Sequence, residues 1–340
     1  MEKLRFAAIG RSGALYSGIE HLVNTGFSLA GILTDQSYAE YDCHVSDFAS
    51  LGRRLGAPVR VDSKINSPET TAWLEHLKAD VAISVNWKTF IGSRVRSVFP
   101  AGILNAHLGD LPRFRGNATP NWAIILGEPR IALVIHSMVD EIDTGPIWCR
   151  EYMQVLSDTR LADVLQFLRN EVGPLFGEAL CALEAGKSPT PQVGMVSRCY
   201  PRHPKDGLID WCQSASILAR LVAAVSEPLG GAYTHLDTNV LTIWRARALE
   251  TKTQIYAVPG QVIDRDTKRG IVVVATGHGN LELSQVQLSG EARLPASEVI
   301  RSVRARLGMA LADEIASLHT RLADLEAQLV SLQRENKTRK

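Results

Sequence analysis

Short apolar runs alternate with amphipathic stretches along the first part of the chain. Residues 4–10 form a β-rich run that ends in a glycine turn, and residues 18–24 have the apolar spacing of a helix that stops near Gly26. The same order is predicted to continue with strands and helices at 27–34, 46–55, 58–61, 68–77 and 80–85. Strands that alternate with helices in this way predict an α/β fold with a doubly wound parallel sheet.

The pattern changes after a long predicted helix at residues 161–183, in which Pro174 predicts a kink or a break. Proline-rich stretches then mark a linker without apolar periodicity. Beyond the linker, short β segments are separated by turn residues, which is typical of a small barrel. These features predict a first domain at 1–190, a linker at 191–204 and a C-terminal barrel at 205–308.

The end of the chain carries apolar residues at alternating steps of four and three. They are Leu311, Ile315, Leu318, Leu322, Leu325, Leu329 and Leu332. This heptad spacing predicts a coiled coil over residues 309–340, in which Arg321 at position g reaches Glu326 at position e of a parallel partner. The stripe could instead dock on the barrel, but the tail lacks apolar residues for a second face. We therefore expect a homo-oligomer, with dimer and trimer both left open.

Length and composition fit a two-domain globular protein. The chain has 340 residues, 45% hydrophobic and 21% charged, with a formal net charge of +1. This balance gives no global basic field for nucleic acid, although it is compatible with a local patch. The five cysteines lack C-x-x-C spacing and are predicted to be free thiols, not zinc ligands. Without a leader-like or membrane-spanning apolar run, we expect a cytoplasmic protein that binds no membrane and no metal.

The candidate chemistry is concentrated between residues 100 and 145. Asn105 and His107 stand two positions apart at the end of an apolar run, and alternate residues of a strand share one face. Asp143 follows a second predicted strand, in a turn closed by Gly145. An amide donor, an imidazole and a carboxylate are what transfer to an amine through a tetrahedral oxyanion requires. Alone, an Asn-x-His pair is more often a satisfied polar pair, so the spacing to Asp143 decides the interpretation.

The order and spacing of these residues resemble a known family. Asn105, His107, the loop Leu-Pro-Arg-Phe-Arg-Gly at 111–116 and Asp143-Thr-Gly are together similar to the signature of the N10-formyltetrahydrofolate-dependent formyltransferases. The resemblance covers about residues 3–308, because the two-domain members also carry a C-terminal barrel. It implies a Rossmann-like formyltransferase domain followed by a small, OB-like β-barrel.

The resemblance also implies roles for individual residues, with N10-formyltetrahydrofolate as the formyl donor. Asn105 would donate a hydrogen bond to the oxyanion, and His107 would stabilise the same oxygen or carry the amine proton. Asp143, and not its neighbours Asp140 or Glu141, would orient His107 and raise its basicity. The residues expected to bind the folate are Asn86, Trp87, Lys88, Phe90, Asp140 and Thr144.

Several polar and aromatic residues also have a simpler structural interpretation. Trp87 and Phe90 fit core packing at the start of a helix as well as they fit the wall of a pterin pocket. His136, inside the second predicted strand, is better explained as a buried strand histidine. Arg113 and Arg115 either pair with an anionic substrate or the folate tail, or are solvated.

The residues expected to bind the acceptor lie in the first turn and in the loop after His107. They are Gly10, Ser12, Tyr16, Asp110, Arg113 and Arg115. The turn at 10–18 matches neither G-x-G-x-x-G nor a P-loop, and a plain glycine-rich turn is its commoner explanation. Leu108-Gly-Asp110 departs from the Gly-Ser-Leu usual in the family, and its carboxylate either selects the acceptor or caps the next turn.

Two-domain members of the family act on methionyl-tRNA or on nucleotide-linked amino sugars. The tRNA enzymes resemble one another in a Gly-Thr-Pro-x-Phe start and a basic loop after the second strand, and neither is found here. The acidic loop at 35–42 would repel a phosphate backbone. Residues 116–122 and the uninterrupted spacing from Trp87 to His107 are similar to the bacterial UDP-amino-arabinose formyltransferase domain, so we expect an amino-sugar acceptor. The alternatives are methionyl-tRNA, an inactive folate- or nucleotide-binding protein, and a hydrolase of the formyl donor.

Overall fold

The computed structural model describes residues 3–36, 42–249, 255–308 and 311–338. Part of the acidic loop, residues 37–41, lies outside the described residues. The chain divides into two compact units, and these are described separately. The first comprises Met1–Gly207 and Arg220–Gly231, and the second comprises Leu208–Ala219 and Ala232–Lys340.

The first unit alternates strands and helices as the sequence pattern predicts. Its elements are β1 (Arg5–Gly10), α1 (Gly13–Asn24), β2 (Ser28–Thr34), α2 (Val45–Leu55), β3 (Val59–Val61), α3 (Pro68–His76), β4 (Val81–Val85), α4 (Ser93–Arg96), β5 (Ile103–Leu108), β6 (Arg115–Gly116), α5 (Thr119–Leu126), β7 (Arg130–Ser137), β8 (Ile147–Gln154), α6 (Leu161–Glu184), β9 (Arg198–Cys199) and a 3-10 turn (Pro204–Gly207). The residues of α7 (Ala215–Ala224) are divided between the two units.

The main sheet of the first unit has the strand order β3-β2-β1-β4-β5-β7-β8. The pairs from β3 to β5 are parallel, which confirms a Rossmann-like α/β arrangement. Strand β7 departs from the predicted parallel sheet, because it runs antiparallel to both β5 and β8. Antiparallel neighbours need only a short connection, and the turn between β7 and β8 is the one that carries Asp143.

Helices α1 and α6 pack together beside this sheet. A Cβ atom at Gly18 would lie 3.7 Å from Val172 and 3.9 Å from Phe176, so α1 approaches α6 at van der Waals distance. Helix α1 begins at Gly13, and the predicted turn at 10–18 is therefore mostly helical. Helix α6 continues through Pro174, so the alternative of a break at this residue is wrong.

The second unit contains an antiparallel sheet. Its remaining elements are β10 (Ala232–Leu236), β11 (Asn239–Leu249), β12 (Val262–Asp266), β13 (Ile271–Ala275), β14 (Asn280–Leu288), β15 (Leu294–Pro295), α8 (Ala296–Val299) and α9 (Leu311–Thr338). The strand order is β10-β11-β14-β13-β12, with β15 paired to β14. Residues 306 and 307 form single bridges to Gln261 and Leu236, beside the two edge strands. Closure into a barrel and the coiled coil of α9 stay predictions.

Candidate active site

The site is built on two neighbouring antiparallel strands, β5 and β7. Asn105 pairs with His136 in the register of these strands, and His107 pairs with Val134. Because alternate residues share one face of a strand, Asn105 and His107 lie on the same face of the sheet. His107 and His136 are buried, and their ring centroids are 6.2 Å apart.

The turn after β7 brings the carboxylate of Asp143 to these histidines. Oδ2 of Asp143 lies 3.6 Å from Nδ1 of His107, and Oδ1 lies 3.5 Å from Nε2 of His136. The backbone N–H of Gly116 donates to Oδ2 at 2.8 Å. Asp143 has a φ of +54°, a left-handed conformation that aspartate tolerates better than most residues. The structure therefore brings Asn105, His107 and Asp143 together.

Two residues hold the turn that presents Asp143. A Cβ atom at Gly145 would lie 1.7 Å from the carbonyl oxygen of Ser137, so only glycine fits there. The side-chain amide of Gln192 donates to the carbonyls of Asp143 and Gly145, both at 2.8 Å. Its Oε1 accepts from the guanidinium of Arg115 at 2.7 Å. Sequence reasoning missed Gln192, which lies in the predicted linker without any motif to mark it.

The hydrogen bonds of His107 identify its proton-accepting atom. Nε2 lies 2.7 Å from the carbonyl oxygen of Phe114. A carbonyl can only accept, so Nε2 carries the hydrogen and, in the neutral ring, Nδ1 carries the lone pair. A Cβ atom at Gly109 would lie 2.5 Å from that carbonyl and 2.6 Å from Nε2, so glycine allows the loop to fold back onto the ring.

The charge states of the pair follow from burial and neighbours. Burial lowers the pKa of His107 below the ordinary histidine value, although the charge of Asp143 opposes this effect. Burial alone would raise the pKa of Asp143, but the groups around its carboxylate, among them the Gly116 N–H that donates to it, outweigh burial and lower the pKa to about 2. At neutral pH the site therefore holds a carboxylate beside a neutral imidazole that can accept a proton.

Two cavities in the first unit meet at this site. The Trp87 cavity, of about 250 Å³, is lined by Trp87, Lys88, Asn105, His136 and Asp143, among others. The Ser12 cavity, of about 550 Å³, is lined among others by Ser12, Asp42, Asn117, Gln166 and Arg169. His107 lines both cavities, as do Asn86, Ala106, Gly116 and Asn117. Two bound molecules could therefore approach the imidazole from separate spaces.

Four of the six residues predicted to bind folate line the Trp87 cavity. These are Asn86, Trp87, Lys88 and Phe90. Phe90 is 51% exposed, so core packing does not explain its side chain. The other two residues make contacts elsewhere among the described residues: Asp140 pairs with Arg96, and the hydroxyl of Thr144 donates to the carbonyl of Glu141 at 3.0 Å.

Among the residues predicted to bind the acceptor, Ser12 lines the Ser12 cavity. The described lining does not include Gly10, Tyr16, Asp110, Arg113 or Arg115, which have other neighbours in the molecule. A Cβ atom at Gly10 would lie 2.1 Å from the carbonyl of Val85, and the hydroxyl of Tyr16 accepts from Arg54 at 3.3 Å.

The charged residues of the loop after His107 are engaged by side chains of the protein. Asp110 accepts from Arg150 at 2.8 Å and from the hydroxyl of Tyr152 at 3.1 Å, so its carboxylate is paired. Arg113 pairs with Glu128 and lines a third cavity of about 390 Å³ together with Asp110. Arg115 contacts Gln192, which links it to the Asp143 turn instead of to a ligand cavity.

His136 takes part in the site, which the sequence interpretation did not anticipate. The residue is buried, as expected for a strand histidine. However, its Nε2 lies 3.2 Å from Nδ2 of Asn105 and 3.5 Å from Oδ1 of Asp143. The signal that could have found it is its register opposite Asn105, which becomes visible only when β5 and β7 are paired.

Metal ligands and membrane spans were also sought in the described part of the chain. There, no three His, Cys, Asp or Glu residues are grouped so that they could hold a metal ion. None of the described helices combines the length and the apolar character needed to cross a membrane.

Fold and site together define a Rossmann-like α/β protein in which an amide and an imidazole of β5 meet a carboxylate from the turn after β7. The sequence model described as Formyl transferase matches residues 49–180, and that described as Formyl transferase, C-terminal domain, matches residues 202–304. The chain belongs to the formyltransferase family, a family of transferase enzymes. The resemblance noted from the sequence is thereby confirmed.

Solved structures share this fold at low sequence identity. HypX from Aquifex aeolicus in complex with tetrahydrofolic acid is 19% identical, with a TM-score of 0.60 over 88% of this chain and 47% of that one. The N-formyltransferase from Helicobacter canadensis in complex with folinic acid and dTDP-3-aminofucose is 12% identical, with a TM-score of 0.62 over 84% and 100%. Methionyl-tRNA formyltransferase from Clostridium thermocellum is 12% identical, with a TM-score of 0.54 over 74% and 95%. The chain spans about half the length of the HypX structures it matches.

Proposed function

We propose that this protein transfers the formyl group of N10-formyltetrahydrofolate to the primary amine of a nucleotide-linked amino sugar. The observation that carries the proposal is the position of His107, which lies beside Asn105 and Asp143 and lines both cavities. A donor in one cavity and an acceptor in the other would meet at this imidazole. Direct transfer between two bound substrates needs such an arrangement.

The three residues would divide the chemistry between them. The unprotonated amine attacks the formyl carbon, and the carbonyl oxygen becomes an oxyanion that accepts a hydrogen bond from the Asn105 amide. Removing a donor of this kind costs about 3–4 kcal/mol of transition-state stabilisation. Nδ1 of His107 takes the proton from the attacking nitrogen and returns it to N10 of the folate as the bond between carbon and N10 breaks. The carboxylate of Asp143 stabilises the imidazolium in between.

The Trp87 cavity suits the folate. Trp87 and Phe90 offer aromatic surface for a flat ring system, and Phe90 is half-exposed. Polar groups of Asn86 and Lys88 stand in the same lining. Four of the six residues that the family resemblance assigns to the folate therefore share one cavity with the three residues proposed for catalysis.

The Ser12 cavity suits a small, polar acceptor. Its volume of about 550 Å³ falls within the range of about 300–1,000 Å³ that small-molecule sites occupy. Gln166 and Arg169 line it with a side-chain amide and a guanidinium, both able to donate hydrogen bonds. Asp42, at the end of the acidic loop, lines it as well and pairs with Arg169. The structure of the Helicobacter canadensis enzyme was solved with dTDP-3-aminofucose, a nucleotide-linked amino sugar.

The test is to follow tetrahydrofolate release from N10-formyltetrahydrofolate by absorbance. The acceptors offered are dTDP-3-aminofucose, a UDP-linked 4-amino sugar and methionyl-tRNA. We expect release that requires an amino sugar and that collapses in His107→Asn and Asp143→Asn. His278→Asn and Asp237→Asn, which are matched changes in the second unit, should leave the rate unchanged. Release only with methionyl-tRNA would show that the acceptor is a tRNA and not an amino sugar. Release without any acceptor would identify a hydrolase of the formyl donor. No release with any acceptor would overturn the proposal.

We further propose that the protein self-associates through α9. Five apolar residues of the stripe are 45–57% exposed on this helix: Ile315, Leu318, Leu322, Leu325 and Leu329. Water contact over such a stripe is unfavourable by about 25 cal/mol per Å² of apolar surface. A second copy of the same stripe would cover it, and Arg321 and Glu326 are spaced to pair across a parallel interface.

A further inference from the structure

His136 has a hydrogen-bonding neighbour at each ring nitrogen although it is 2% exposed. Nδ1 lies 3.0 Å from the carbonyl oxygen of Ser137, and Nε2 lies 3.2 Å from Nδ2 of Asn105. Oδ1 of Asp143 is farther from Nε2, at 3.5 Å. A buried histidine whose two ring nitrogens both have polar neighbours links those neighbours by hydrogen bonds, in addition to packing in the core.

The neighbour of Nδ1 fixes the tautomer of the ring. The carbonyl of Ser137 can only accept, so Nδ1 of His136 carries the hydrogen. In the neutral ring, Nε2 is then an acceptor. The part of the Asn105 amide that faces Nε2 must therefore be its NH₂ group, because its oxygen would place two lone pairs against each other. The second hydrogen on Nδ2 of Asn105 stays available to a substrate oxygen in the Trp87 cavity, which Asn105 lines.

We propose that His136 is a positioning residue that holds the side-chain amide of Asn105 in its donor orientation. This inference rests on the proposed function, in which Asn105 donates to the oxyanion. An amide free to rotate by half a turn would present its oxygen to the oxyanion in part of the population, and two negative groups would then face each other. His136 acts through Asn105 and does not contact the reacting atoms itself.

Two substitutions separate this role from simple core packing. His136→Gln keeps an acceptor oxygen near the position of Nε2, whereas His136→Asn is too short to reach Asn105 while it can still contact Ser137. We expect His136→Asn to lower kcat about 10- to 100-fold, a large part of the loss that follows removal of an oxyanion donor, with KM for the formyl donor changed less than about threefold. His136→Gln should stay within about threefold of the wild type. Equal losses in both variants would overturn the proposal.

A double-mutant cycle tests the pathway through Asn105. In an Asn105→Ala background the amide to be positioned is gone, so adding His136→Asn should lower kcat by less than about twofold. The rates are measured as tetrahydrofolate release with dTDP-3-aminofucose or the UDP-linked 4-amino sugar. If His136→Asn costs the same factor with and without Asn105, the two residues act independently and the proposal fails.

A spectroscopic measurement of His136 needs no acceptor. It therefore tests the positioning role of His136 separately from the proposed formyl transfer. With ¹⁵N-labelled histidine, the ring signals lost in His136→Gln should be those of a tautomer protonated at Nδ1. Protonation at Nε2 instead would mean that His136 donates to Asp143, which overturns the inference even if the enzyme is active. If no acceptor supports turnover, the proposed function falls and this tautomer alone decides whether His136 orients Asn105.

Discussion

Nδ1 of His107 lies 3.6 Å from Oδ2 of Asp143, so that a proton added to Nδ1 converts the two residues into an ion pair. The other ring nitrogen is occupied by the carbonyl of Phe114, so Nδ1 is the atom that changes protonation. Burial lowers the pKa of His107, and the anionic Asp143 partly restores it. The two residues therefore form a base whose strength depends on the carboxylate.

This dependence predicts the pH profile of turnover. Because only the neutral imidazole accepts a proton, kcat should fall as the pH drops through a pKa below about 6.5, the ordinary histidine value. Asp143→Asn removes the charge that raises the pKa of His107. The acid limb should then move to lower pH, and the plateau of kcat should fall by about 100-fold or more because the imidazolium loses its partner.

The measurement is kcat against pH with both substrates saturating. An acid limb above pH 6.5 in the wild type, or a limb that does not move in Asp143→Asn, would contradict the assignment of His107 as the base.

A substitution at Gly145 tests whether the backbone of the Asp143 turn can accommodate a side chain. In Gly145→Ala the new Cβ would meet the carbonyl oxygen of Ser137 at 1.7 Å, and a backbone atom cannot yield as a side chain can. We expect the free energy of unfolding to fall by about 2 kcal/mol or more, measured by chemical denaturation. Gly230→Ala is the matched control, since a Cβ there meets no described atom within 4 Å. Similar stabilities of the two variants would show that the turn relaxes easily.

Gln192 tests whether the turn needs support from outside its own sequence. Gln192→Ala removes the two hydrogen bonds to the carbonyls of Asp143 and Gly145 and leaves Arg115 without its amide partner. We expect kcat to fall about tenfold, since a displaced carboxylate weakens the base, and stability to fall by about 1–2 kcal/mol. Gln213→Ala, in the second unit, should change neither quantity. An unaltered kcat in Gln192→Ala would show that the turn keeps Asp143 in place by itself.

The sequence predicts what depends on local periodicity. Alternating strands and helices up to Val85 yield the parallel part of the sheet, and the two-residue spacing of Asn105 and His107 yields their common face. Contacts between distant residues are not contained in such patterns. Gln192 reaches across 49 positions to Asp143, and its partner atoms are backbone carbonyls, which any residue supplies.

The antiparallel direction of β7 explains why the sequence did not predict a place for His136 in the site. A strand of a parallel sheet buried on both faces is expected to be apolar throughout, so a single histidine in it is interpreted as a buried structural residue. Pairing β7 antiparallel to β5 sets His136 directly opposite Asn105. The same information about pairing is needed for Asp110, whose carboxylate is engaged by Arg150 and Tyr152 of β8.

The exposed stripe on α9 leads to a prediction about assembly. Leu322→Asn with Leu325→Asn should convert an oligomer into a monomer, because two polar residues then replace adjacent seam positions. Ala323→Asn with Ala327→Asn puts the same residue type on the outer face of the helix and should leave the mass unchanged. The measurement is the molecular mass by sedimentation equilibrium at about 10 to 100 µM chain. A wild-type monomer throughout that range, or equal dissociation of both variants, would contradict self-association through the stripe.

Charge reversal tests the orientation of the two helices. In a parallel pair, Arg321 at position g faces Glu326 at position e of the partner, so Arg321→Glu places like charges together and should weaken association at low salt. Adding Glu326→Arg restores an opposite-charge pair and should restore the mass. In an antiparallel pair, g faces g and e faces e, so the second change would have no reason to rescue the first. Rescue in the double variant therefore requires both self-association and parallel helices, because a stripe docked on its own barrel would not respond to the exchange.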